Sequence, residues 1–257
     1  MKTIDLHIHL CDPKMDDYVA LMDKNGVEAA VVYGNVPGYG SPYTNEDILA
    51  AVARHPGRLY AGPGIDLRRP AYDCADDVER YAEAGAVAIK LFPNIGFDPN
   101  DDRLEPFWRR MEDTGLYCFS HCGWLVPCAK DPSLRVSSLL ATPLHFEVPA
   151  RRHPKLNFVF GHFGGGFSYL ETITLLTRLP NCFADVCPGW GRWVWEQRMT
   201  GIECVDISRI FYGTDNAGQG YPESLDFWNK TMKSFGRSEA QIADFFYNNA
   251  AKLLKRG

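Results

Sequence analysis

AVAIKLF, residues 86–92, is the stretch on which the fold turns. It is apolar throughout except for Lys90 near its C-terminal end. A strand with one wet face alternates apolar and polar residues. An unbroken apolar run instead marks a strand covered on both faces, as in a parallel sheet clothed with helices. The same continuity recurs in AAVVY (29–33) and NFVFG (157–161).

Working outward, strand patterns fall at Thr3–Leu10, Val27–Tyr33, Arg58–Ile65, Ala86–Phe92, Leu116–His121, Leu156–His162, Asn181–Val186 and Ile210–Thr214. Between them lie helical patterns: Met15–Asn25 ahead of Gly26, Glu46–Arg54 after the turn-rich NVPGYGSPYTN, DDVERYAEA (76–84) and PFWRRMEDT (106–114). The longest insertion, 122–155, is read as a loop plus a helix carrying LLATPLHF. The tail SEAQIADFFYNNAAKLL is read as a closing helix with Ser238 as its N-cap. Strands alternating with amphipathic helices indicate a parallel α/β sheet. Eight such units predict a (β/α)8 TIM barrel, one domain over residues 1–257 with a C-terminal helix. No GxGxxG follows the first strand, which argues against a dinucleotide-binding sheet.

The 257 residues are 46% hydrophobic and 23% charged, with a formal net charge of 27 − 32 = −5. That balance excludes disordered and fibrous classes. Net acidity argues against non-specific nucleic-acid binding, which needs an excess of Lys and Arg. No apolar run approaches the ~20 residues of a membrane span, and Asp5 and His7 interrupt any signal-peptide core. Eight cysteines without a CxxC, mostly in apolar runs, read as reduced thiols of a cytoplasmic protein.

Catalytic groups of a barrel gather at the C-terminal ends of its strands. His7 and His9 end the first strand pattern, Lys90 lies near the end of the fourth, His121 ends the fifth and His162 the sixth, and Asp215 follows the eighth. Residues two apart in a strand share a face, so His7 and His9 can hold one cation between them. Imidazoles with one carboxylate suit Zn2+ or a similar first-row ion, whereas Ca2+ wants more oxygen ligands. His55 and His153, each before a proline at a helix end, read as structural.

The ordered set DLHIHL, AIKLFP, FSHCG, FVFGHFGG, FYGTDNAG and NNAAKLL resembles the amidohydrolase superfamily, most closely its amidohydrolase-related (amidohydrolase 2) branch. That branch includes small hydrolases, lactonases and aminocarboxymuconate-semialdehyde-type decarboxylases. The resemblance implies one metal ion per chain, zinc with manganese as the other candidate, held by His7, His9, His121 and Asp215. It places His162 beside the metal to polarise substrate or assist proton transfer. Lys90 stands where binuclear members carry a carboxylated lysine; the reading adopted is an unmodified lysine in contact with substrate. TatD-type deoxyribonucleases share HxH, but AIKLFP and GTD depart from their pattern.

Such a site activates water for hydrolysis of an amide, ester or lactone, with Asp215 and His162 as catalytic groups. The same groups serve decarboxylation of a small unsaturated or aromatic acid, and residue types do not separate the two. A non-catalytic metal-binding protein is the third reading. In CPGWGRWVWEQR, Trp190, Trp193 and Trp195 surround Arg192, as a wall for a planar anion or as cover for a helix–barrel seam or an oligomer interface. Lys90, Asn94, Trp124, Trp190 and Arg192 are the expected substrate contacts, with Phe92 lining the pocket and Asn216 orienting Asp215. The expected partners are a small-molecule substrate and another copy of the chain, with neither nucleic acid nor membrane.

Overall fold

Eight short parallel strands form the centre of the computed structural model. It describes all residues except Cys11, Pro13, 37–41, 125–135, Pro188, 217–219 and Gly257. The strands are β1 Thr3–His9, β2 Val27–Tyr33, β3 Leu59–Gly62, β4 Ala88–Leu91, β5 Tyr117–Ser120, β6 Phe158–Phe160, β7 Cys182–Asp185 and β8 Ile210–Phe211. They pair in sequence order, β1 to β3 and β4 to β8. Two seams join these sets into a closed TIM barrel. Between β3 and β4, the amides of Val87 and Lys90 donate to the carbonyls of Ala61 and Pro63. Between β8 and β1, the Leu6 amide donates to the Tyr212 carbonyl at 3.0 Å. Closure leaves no free sheet edge.

The continuous apolar runs have the predicted consequence. Val31, Tyr33, Ala88, Tyr117, Phe119 and Val159 pack across the barrel axis with Ile4 and Leu6, while a larger cluster fills the layer between strands and helices. One feature of β1 escapes simple alternation. Between Asp5 and Ile8 the strand advances three residues while β2 advances two, from Ala30 to Val32. This bulge re-aims the strand, so Ile4 and Leu6 join the barrel core and His7 and His9 still meet at its mouth.

The helices Asp16–Asn25, Asn45–Ala53, Ala71–Glu83 and Glu105–Thr114 match the sequence patterns to within a few residues, apart from an earlier start for the third. LLATPLHF is not one helix. It forms the turns Ser138–Leu140 and Pro143–Phe146, which lead into the short helix Glu147–Arg152, because Pro143 breaks the hydrogen-bond ladder. Ser238 does cap the closing helix: its hydroxyl accepts from the Gln241 amide, and the chain then runs through Glu239–Ala243, a π-helical turn Asp244–Asn248 and Asn249–Leu253. Cys11, Cys128 and part of the NVPGYGSPYTN loop lie outside the described residues. The other six cysteines are free thiols. Among the described residues no helix is long and apolar enough to cross a membrane.

Asn181 shows how the N-terminal side of β7 is fixed. Its buried amide nitrogen donates to the carbonyls of Ala150, His153 and Leu156, which ties the Glu147–Arg152 helix to the sheet. Removing that donor strands buried carbonyls at about 1–3 kcal/mol for the group. Asn181→Ala is therefore expected to lower unfolding stability by about 2 kcal/mol in urea titration; an unchanged midpoint would refute the assignment.

Candidate metal centre and active site

Because all strands run parallel, their C-terminal ends open on one rim. His9 is the last residue of β1, Lys90 the third of the four in β4, and Asp185 the last of β7; His121, His162 and Asp215 follow β5, β6 and β8. The β8–β1 seam brings the first and last of these together. The Asp215 amide donates to the His7 carbonyl at 2.6 Å, and Asp215 sits at φ 53°, turned inward. His7 Nε2 and His9 Nε2 lie 3.3 and 3.2 Å from the same oxygen, Asp215 Oδ1.

The tautomers can be read from the opposite ring nitrogens. His9 Nδ1 faces the Tyr33 carbonyl at 3.0 Å and must donate to it. His7 Nδ1 donates to Asp185 Oδ2 at 2.7 Å. With the proton on Nδ1, a neutral ring presents its Nε2 lone pair to the carboxylate oxygen and a protonated ring donates to it; His7 Nε2 also lies 3.0 Å from the Lys90 ammonium. Burial and the adjacent Lys90 push His7 down to about 4, against the pull of Asp215 and Asp185, so it is neutral at pH 7. Burial works to raise the Asp215 carboxyl, yet His7 and His9 hold it far below the usual carboxylate range. A cation would balance these electron-rich atoms, and the Lys90 ammonium beside His7 Nε2 is the one the chain supplies.

His121, expected as a fourth ligand, is not among the three residues whose ligand atoms gather within 4.8 Å of one another; it lies beside His162. His162 Nδ1 donates to the Cys187 carbonyl at 2.6 Å, which leaves His162 Nε2 to accept from His121 Nδ1 at 3.1 Å. His121 Nε2 is then a buried lone pair without a hydrogen-bond partner. Burial, with His162 and Lys90 nearby, holds His121 well below its ordinary value, hence neutral. Unpaired buried nitrogens are costly, and ligation is one way to satisfy them. The same chain of bonds bears on the expectation for His162. Its neutral ring has no proton on Nε2, so it can donate there only as an imidazolium.

A second group, His7, His162, Asp185 and Cys187, also gathers potential ligand atoms. Spacing separates the two. Tetrahedral zinc with bonds of about 2.0–2.3 Å sets ligand atoms about 3.3–3.8 Å apart. The His7–Asp215 and His9–Asp215 separations fit that edge. In the second group, His7 Nδ1, Asp185 Oδ2 and Cys187 Sγ are 2.7–3.0 Å apart, which are hydrogen-bond distances. Asp185 therefore supports His7 from behind, and it also accepts the His162 amide on Oδ1 at 2.6 Å. Sequence reasoning missed it. Its only signal was an acidic residue ending an otherwise apolar strand, FADVC.

Lys90 is fully buried. Its ammonium lies 3.0 Å from His7 Nε2 and 4.1 Å from the Phe119 ring centroid, and burial pushes it down to about 8 against the pull of Asp215 and Asp185. The other expected substrate contacts are more scattered. Asn94 is buried and donates to the Gly123 carbonyl at 2.9 Å, bracing the loop after β5. Trp124 is 63% exposed. CPGWGRWVWEQR contains a helix, Trp190–Glu196, so its tryptophans split between faces. Trp190 meets Phe167 and Trp193 at the surface, Trp195 is buried against Phe163 and Trp228, and Arg192 stacks on Phe227 at 3.7 Å. The three tryptophans do not form a wall around Arg192. Phe92 does reach the site, its ring stacked on His121 at 5.9 Å.

The loop after β6 is shaped for this cluster. Residues 162–166 all have positive φ, the last three being glycines. A Cβ on Gly165 would lie 2.1 Å from Gly123 Cα, so the β5 and β6 loops pack backbone on backbone beneath His121 and His162.

A TIM barrel with a His/Asp cluster on its C-terminal rim defines a class of barrel enzymes with a metal-type centre. The sequence model of the amidohydrolase family matches residues 4–256, and the chain belongs to that family of enzymes. No curated protein sequence matches it. Solved structures share the fold over 99% of this chain, three of them as follows. A 2,6-dihydroxybenzoate decarboxylase from Rhizobium is 17% identical with a TM-score of 0.70, covered over 99% of its length. A TIM-barrel protein from Bordetella bronchiseptica is 16% identical with a TM-score of 0.76 over 99% of its length. A probable 2-pyrone-4,6-dicarboxylic acid hydrolase from Acinetobacter baumannii, with citric acid bound, is 13% identical with a TM-score of 0.68 over all of its length.

Asp5 holds the seam from below. Its carboxylate accepts from the His7 and Thr214 amides and from the Thr214 and Tyr221 hydroxyls; burial pushes the carboxyl up to about 7 while these donors hold it down. Asp5→Ala strands several buried donors and is expected to cost about 3 kcal/mol or more of stability. Asp5→Asn, which keeps an acceptor, should lose less. Equal denaturant midpoints for Asp5→Ala and wild type would contradict this role.

Proposed function

We propose that the chain is a metal-dependent hydrolase acting on an amide, ester or lactone of a small cyclic or carboxylated substrate. The observation carrying this reading is the convergence of His7 Nε2 and His9 Nε2 on Asp215 Oδ1. His7, His9, His121 and Asp215 would hold one ion, zinc in the first place and manganese in the second. When bound, the ion supplies Lewis acidity and lowers the pKa of a coordinated water.

The chain's own residues supply positioning and proton handling. Asp215, kept ionised by its histidine neighbours, takes the proton of the attacking water and returns it to the leaving group. His162, with Nδ1 on the Cys187 carbonyl and Nε2 toward His121, is the second group for proton handling and for support of the developing oxyanion. Lys90 brings a buried positive charge to the same place, where a substrate carboxylate or carbonyl would lie. Asn94 acts on substrate through the loop it braces, and Trp124 and Trp190 at the rim and Arg192 on its helix are candidate contacts for the outer part of the ligand.

Decarboxylation of a small unsaturated or aromatic acid is the second reading. Phe92, buried and stacked on His121, places an aromatic ring beside the cluster. The fold neighbours bear names of both kinds, a decarboxylase and a lactone-type hydrolase. The free thiols support a reducing, cytoplasmic setting. We read residues 1–257 as one domain whose partners are a small-molecule substrate and a second copy of the chain.

Elemental analysis is expected to find about one divalent ion per chain, lost on His7→Ala; a fully active protein without such an ion would refute the metal reading. Incubation in 18O-labelled water with a panel of lactones, esters and aromatic acids decides between chemistries. Label entering the product without CO2 supports hydrolysis; CO2 release without label establishes the decarboxylase.

A further inference from the structure

We propose that the Cys187 thiol sets how tightly His7 binds the ion, by sharing the carboxylate oxygen of Asp185 on which His7 depends. This rests on the reading of His7 as a ligand. Asp185 Oδ2 has two donors on it: His7 Nδ1–H at 2.7 Å and Cys187 Sγ–H at 2.9 Å. The sulfur also lies 3.0 Å from His7 Nδ1, so both donors reach the oxygen from the same side. A thiolate there would set two anions 2.9 Å apart, so the sulfur carries its proton.

The consequence follows from charge. A metal-bound imidazole is made a better ligand by an acceptor on its other nitrogen, and the stronger that acceptor, the more electron density reaches the metal-facing nitrogen. A second donor on the same oxygen draws away part of its negative charge. Cys187 therefore weakens the pull of Asp185 on His7. A thiol is a weak donor, a hydroxyl a stronger one, and a methyl group none. The substitution series has a predicted order that packing alone does not produce: Cys187→Ala binds metal more tightly than wild type, and Cys187→Ser more weakly.

Two features make Cys187 suited to this test. Its backbone carbonyl accepts the His162 ring proton, and side-chain substitution leaves that bond in place. Gly213 lies against this side chain, since a Cβ there would be 3.2 Å from the sulfur, and both alanine and serine are no larger than the cysteine they replace.

The experiment is a zinc affinity measurement by competition with a chromophoric chelator on wild type, Cys187→Ala and Cys187→Ser, each confirmed folded by thermal unfolding. It is repeated in an Asp185→Asn background and accompanied by Co2+ absorption spectra. The expected result is affinity about threefold or more higher for Ala and lower for Ser, a smaller effect than the roughly 10–100-fold that loss of a ligand-supporting partner itself commands. That order should collapse when Asp185 is neutral. Equal affinities, or a loss in both variants that persists with Asp185→Asn, would overturn the proposal in favour of packing alone. A near-ultraviolet thiolate–cobalt band that disappears in Cys187→Ala would overturn it too, by making Cys187 a ligand. Wild-type protein that takes up no zinc or cobalt overturns this inference and the proposed function together, whereas wild-type binding with indifferent variants overturns this inference alone.

Discussion

The seam between β1 and β8 is the constraint on which the rest of the site depends. Three main-chain and side-chain links close it: the Leu6 amide to Tyr212, the Asp215 amide to His7, and the Asp5 carboxylate to the amide and hydroxyl of Thr214. Residues more than 200 positions apart are thereby held within hydrogen-bond distance. Without closure, His7 and His9 would end one strand and Asp215 another, with nothing to bring them together. With it, two imidazole nitrogens and one carboxylate oxygen share one small space.

What fills that space is decided by hydrogen-bond direction. The Tyr33 carbonyl and the Asp185 carboxylate each claim a ring proton on the side away from the cluster, and the Cys187 carbonyl does the same for His162. Each claim fixes the tautomer of a neutral ring, and together they leave the other ring nitrogens facing inward. The burial that makes this arrangement costly when unbalanced also keeps His7 and His121 neutral at pH 7 and so able to act as ligands. Electron-rich atoms gathered in one space favour a cation; Lys90 is the one the chain itself provides, and a divalent ion would serve more directly.

Much of this was legible in the sequence, and the reasons are specific. AVAIKLF and its counterparts announce strands buried on both faces, and the ends of those strands carry His9, Lys90, His121 and His162 as expected for a barrel rim. The β1 bulge was not legible, because alternation within DLHIHL gives no sign that β2 advances one residue fewer opposite it. Asp185 was not legible because its meaning lies in a contact with His7 across 178 positions. The Trp190–Glu196 helix was missed because a tryptophan-rich segment with glycines reads as a loop; its 3.6-residue turn sends Trp195 inward and Arg192 toward Phe227.

The central claim is that the rim holds one ion at the His7–His9–Asp215 cluster, with Asp185 hydrogen-bonded to the far side of His7. Anomalous diffraction at the zinc edge, from crystals grown with zinc, tests it most directly. The account predicts a single strong peak in each chain within bonding distance of His7 Nε2, His9 Nε2 and Asp215, with His121 Nε2 turned toward it. A peak among Asp185, Cys187 and His7 Nδ1, or none at the rim, would contradict it.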